Sequence, residues 1–133
     1  MTVIDQMKLL ISLAQIDGNV AEQERTFITN IGKSNGLSLG EIASLLEKRH
    51  ALTLTSDLPH NEKFNILFNL VQLMKIDERM YKEEMLFCSK IAVNLGYDQQ
   101  VMFDLLMHVK PTDMAVQDKE NLRNITAKYL KVV

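Results

Sequence analysis

Four acidic side chains, Asp17, Glu24, Asp77 and Glu84, carry the spacing in this chain that could do chemistry. Asp17 precedes Glu24 by seven residues, and Asp77 precedes Glu84 by the same interval. An Asp and a Glu meeting at a turn, with loop carbonyls and water around them, are the donors that a hard divalent cation such as Ca²⁺ takes. The same groups have a second use. A Glu at the third position of a helix reaches back to the backbone N–H of the cap residue, and a turn Asp accepts main-chain N–H groups. Both readings stand on the residues alone. A calcium EF-hand does not: counting from Asp17, its fifth ligand position falls on Ala21, its glycine position on Glu22 and its twelfth on Ile28.

The elements that position these acids come in two copies. Residues 4–50 laid over residues 64–110 without a gap are identical at ten positions: 10/70, 13/73, 16/76, 17/77, 24/84, 27/87, 31/91, 36/96, 45/105 and 46/106. Most are apolar residues or Gly, which any two helical hairpins share; the two carboxylate pairs are the informative ones. Apolar residues recur three and four apart throughout, so the chain is all-α. A first helix is expected over about 2–16, broken at Asp17-Gly18-Asn19-Val20, and a second over about 22–35, closed by Gly36. Ser38 caps a third. After a linker at 51–58, the second copy repeats this pattern with helices ending near Ile76, Leu95 and Val109. A last helix is expected over about 113–131, docking through Met114, Leu122, Ile125, Tyr129 and Leu130. That makes about seven helices in a single domain, two repeated hairpin units followed by a C-terminal helix. The stretch from Phe64 to Ile76 is apolar on nearly every side and belongs at a centre.

Within this frame the acids continue the buried stripes. Leu10, Leu13, Ala14 and Asp17 fall on one face, as do Glu24, Phe27, Ile28 and Ile31. Glu24 and Glu84 stand in a helix's first turn, where negative charge is favoured. Asp17 and Asp77 stand at a helix C-terminus, where the dipole disfavours it by about 0.3–1 kcal/mol. Either capping or a bound cation compensates, so Asp17, Glu24, Asp77 and Glu84 are the candidate metal ligands.

The run Ala14-Gln15-Ile16-Asp17-Gly18-Asn19-Val20-Ala21-Glu22-Gln23-Glu24, followed by Phe27, Ile31 and Gly36-Leu37, resembles the signature of TerB-like (tellurite-resistance) domains. Met74 to Gly96 resembles the same motif in degraded form, with Glu78 at the motif glycine; Ala21 in the first copy and Tyr81 in the second stand where Ser or Thr usually caps. The resemblance covers about residues 4–110. It implies an all-helical fold with an internal repeat, a role in bacterial stress responses to tellurite and other toxic agents, and an acidic cluster associated with metal.

Composition narrows the function classes further. A net charge of −2, from 15 Lys and Arg against 17 Asp and Glu, argues against a nucleic-acid module held by excess cations. A lone Cys88 forms no internal disulfide, and no signal peptide or spanning segment is expected, so the location is read as cytoplasmic. Cys88 falls on the buried stripe opposite Ile28 and reads as core. His50, His60 and His108 share no zinc spacing, and His60 reads as solvated. Met74, Met85, Met102 and Met107 read as core, and Lys119, Arg123, Lys128 and Lys131 as a solvated basic face. No phosphate loop, nucleophile motif or HExxH sequence occurs, so the chain reads as non-enzymatic. The expectation is a stress-response module with a divalent cation at its Asp–Glu turns. The alternative is a scaffold domain that takes a protein partner's helix between its repeats and uses the acids only as caps.

Overall fold

A computed structural model describes residues 2–16, 18–52, 57–76 and 82–131. Asp17, Asp77, Tyr81 and the middle of the linker lie outside the described residues. The described chain is all-helical: α1 (Val3–Ala14), α2 (Glu22–Ser34), α3 (Leu39–Leu46), α4 (His60–Ile76), α5 (Lys82–Asn94), α6 (Val101–His108) and α7 (Val116–Thr126), then a short 3₁₀ turn, Ala127–Tyr129. It divides into two compact units, residues 1–53 and 54–133.

In the first unit, local chemistry sets each helix end. Thr2 Oγ1 accepts from Asp5 N at 3.1 Å, and the Asp5 carboxylate accepts from Thr2 N at 3.4 Å. Ser38 and Glu41 make the same reciprocal box at the start of α3, both bonds 3.1 Å. The bond from Ser38 N holds the Glu41 carboxyl below its ordinary range. α2 ends in a Schellman motif, with Leu37 N donating to Gly32 O (3.0 Å) and Gly36 N to Lys33 O (3.1 Å). The motif requires a left-handed residue, and Gly36 supplies it at φ 89°. Met7, Leu10, Leu13, Ile28 and Ile42 form the core, each at most 2% exposed. Gly32 lets α2 and α3 approach: a Cβ there would lie 2.7 Å from Ile42 Cδ1 and 3.0 Å from Met7 Cε.

In the second unit α4 packs against α5, α6 and α7. Phe64, Leu67, Leu70, Val71 and Leu73 are all buried on it, as its all-round apolar pattern requires. It starts directly after Pro59, whose carbonyl accepts from Glu62 N and Lys63 N, both at 3.1 Å. α5 ends in a second Schellman motif, Tyr97 N to Ala92 O and Gly96 N to Val93 O, both 3.0 Å. Asp98 Oδ1 accepts from Gln100 N at 2.9 Å just before α6.

The last helix is shorter than expected. α7 stops at Thr126, and the chain after it turns to run beside the α5–α6 connection: Asp98 N donates to Tyr129 O (2.7 Å) and Lys131 N to Gly96 O (2.8 Å). Long-range pairing with the Gly96 turn has won over local helix propensity. Met107 is 75% exposed and Ile125 41%, against the core roles expected for them. α6 has only eight residues, and its buried face is carried by Val101, Met102 and Leu105.

Candidate functional site

The acidic turn of the first unit is built from the end of α1 and the start of α2. Ile16 N bonds Leu13 O (3.3 Å) and Gly18 N bonds Gln15 O (3.0 Å), closing α1. Gly18 adopts φ 90°, the left-handed backbone that reverses the chain there. Ala21 is the cap residue of α2, and its N–H donates to Glu24 Oε1 at 3.1 Å. Glu24 is therefore the third helical residue and performs half of a capping box. Ala21 has no side-chain oxygen to complete the other half. Glu24 is only 8% exposed.

Glu84 holds the same place in the second unit. It is the third residue of α5 and 5% exposed. One turn further along, Cys88 is fully buried, and burial, reinforced by the Glu84 charge, pushes its thiol up to about 12. A thiol held protonated in this way is no nucleophile, which fits the core role expected for it.

Asp17 and Asp77, the partners predicted for these glutamates, lie outside the described residues. Among the described residues no group of three or more His, Cys, Asp or Glu side chains is placed to share a metal ion. Glu24 already directs one oxygen to a backbone donor. Besides Glu24 and Glu84, the described first turns of α2 and α5 carry Glu22 and Glu83, and Ca²⁺ takes roughly six to eight oxygens in all.

Two clusters in the second unit had no sequence signal. His60, expected in solvent, is half-buried and bridges α7 and the α5–α6 connection. Its Nε2 lies 3.0 Å from Arg123 O and its Nδ1 2.9 Å from Tyr97 Oη. A carbonyl only accepts, so Nε2 carries the proton and the Tyr97 hydroxyl donates to Nδ1. Burial raises the Tyr97 phenol well above its ordinary value. Near the end of the chain, the Tyr129 hydroxyl donates to Asp104 Oδ2 at 2.7 Å, and that bond to a carboxylate raises the phenol too. The His60 partners lie 37 and 63 residues away, and only the tertiary fold brings them together.

A third arrangement occurs once within each unit. Gln15 Nε2 donates to Leu46 O (3.4 Å) and Lys48 O (3.0 Å), while Lys75 Nζ donates to Leu106 O (2.7 Å) and Val109 O (2.6 Å). Each side chain leaves the end of a first helix and closes the open carbonyls of a third.

No family model matches the chain, and neither a curated protein nor a solved structure matches it. Among the described residues, no helix is long and apolar enough to cross a membrane.

Proposed function

We propose that this chain is a non-catalytic, TerB-like helical module of the cytoplasmic stress-response class. It works by binding rather than by turnover, and its duplicated acidic turns are first of all folding elements. The observation that carries the capping role is the Ala21 N–H bond to Glu24, at the start of a helix whose cap residue has no side chain able to do the job. The absence of a nucleophile motif in the sequence and the protonated, buried Cys88 support a non-enzymatic reading.

A second reading adds a divalent cation between Asp17 and Glu24 and between Asp77 and Glu84. It is favoured by the burial of both glutamates at matching places, because a buried carboxylate requires compensation. Calorimetric titration with Ca²⁺, Mn²⁺ and Zn²⁺ on the wild type and Asp17→Asn separates the two. Under the capping reading no saturable heat appears up to millimolar metal, Glu24→Ala costs about 0.5–1.5 kcal/mol in denaturant unfolding, and Glu24→Gln keeps most of that stability. Metal binding that disappears in Asp17→Asn establishes the cation instead.

A further inference from the structure

The groove between the first half of α4 and the outward face of α7 is not accounted for by any of these roles. It encloses about 410 Å³ and is lined by the apolar Met114 and Val116, the edge of the otherwise buried Phe64, the amide of Asn65, and the charged Lys119, Glu120 and Arg123. Small-molecule sites run from about 300 to 1,000 Å³. Val116 is 80% exposed, an aliphatic side chain left uncovered beside two cations.

The two cations are not alike. Arg123 is engaged: Nη1 donates to Asn61 Oδ1 at 3.0 Å and Nη2 to Glu120 Oε1 at 2.8 Å. Lys119 lies half-buried with Nζ 4.6 Å from the Phe68 ring centroid, and among the described residues no carboxylate lies within ion-pair distance of it. Burial, with the Arg123 charge behind it, disfavours the Lys119 ammonium and lowers its pKa. Two cations against one carboxylate leave the charged wall with one positive charge uncompensated.

We propose that this groove binds a linear aliphatic monocarboxylate, its head group on Lys119 and its chain along Met114 and Val116. A monoanion matches the surplus charge, whereas a phosphate dianion exceeds it. The aliphatic chain covers the apolar wall and the carboxylate supplies the partner that Lys119 lacks.

The test is an NMR shift titration of the full chain with decanoate, decanol and decyltrimethylammonium, each kept below its aggregation concentration. Decanoate is expected to shift amides of the first half of α4 and of α7, and to bind at least about tenfold tighter than the other two, equivalent to about 1.4 kcal/mol. Lys119→Gln abolishes that preference and leaves decanol binding unchanged, while Lys119→Arg retains it. Val116→Glu, on the surface and tolerable to the fold, weakens decanoate by a similar factor through repulsion at the apolar wall. The assignment is overturned by decanol binding as tightly as decanoate, by a change of less than about twofold in Lys119→Gln, or by shifts confined to other helices.

Discussion

In residues 1–53 an amide closes the end of the short third helix; in residues 54–133 an ammonium does. Gln15 and Lys75 stand sixty positions apart, as do their acceptors Leu46 and Leu106. The helix end leaves unpaired carbonyls in both units, so geometry demands a donor at that point. The choice of donor is a separate matter. A cation at a helix C-terminus gains from the dipole and makes the stronger, charge-assisted bonds, and the distances follow: 2.7 and 2.6 Å for Lys75 against 3.4 and 3.0 Å for Gln15. At this point the donor's place is the same in both units and its chemistry differs. Gly32 and Ala92 show the same division. Ile42 leaves no room for a Cβ at Gly32, whereas the second unit places Ala92, fully buried, there, with the more adaptable Met102 in Ile42's place.

The comparison breaks most visibly in the cores. Leu10 and Leu70 occupy equivalent positions at 2% and 0% exposure. Leu10→Ala and Leu70→Ala are each expected to cost about 2–5 kcal/mol. Hydrogen exchange resolved by helix then shows whether each loss is confined to its own unit, α1–α3 or α4–α7. A uniform rise in exchange across all seven helices from either substitution would show one cooperative structure instead.

A smaller effect tests the two donors. Lys75→Ala removes two charge-assisted bonds from the end of α6 and is expected to cost about 1.5–3 kcal/mol, against about 0.5–1.5 kcal/mol for Gln15→Ala. Denaturant midpoints of the two variants and of Lys75→Gln rank them, with Lys75→Gln in between. Equal losses would mean that the Lys75 charge contributes nothing beyond its hydrogen bonds.

The smallest is a pH effect that only the second unit can show, since Ile28 stands where it has Cys88. The folded thiol titrates at about 12 rather than its ordinary 9.0. Above pH 9.0 the unfolded chain releases this proton and the folded chain keeps it, so stability falls as pH rises and goes on falling until about 12. The loss is about 1.4 kcal/mol by one pH unit above the ordinary value. Stability curves for the wild type and Cys88→Ala from pH 8 to 9.5, below the range where the raised Tyr97 phenol adds its own fall, check the slope, which Cys88→Ala should reduce whatever its cost at neutral pH.

How far the sequence reaches depends on the range of the forces involved. The helices, Ser38 and Gly36 as caps, the break near residue 17 and the burial of Cys88 were legible because three- and four-residue periodicity and capping act within one or two turns. Glu24 as third residue of α2 was legible for the same reason. The end of α7, the exposure of Met107 and the partners of Gln15, Lys75 and His60 were not. Each of these depends on a group that arrives from tens of residues away, and no local pattern encodes which one it will be. The order of helices and the places of Glu24 and Glu84 thus belong to the chain itself, through backbone hydrogen bonding and apolar spacing. Which carbonyl Lys75 closes, which hydroxyl His60 receives and which cation faces the α4–α7 groove are decided only when packing brings separate helices to hydrogen-bonding distance, where a displacement of an ångström makes or loses the bond.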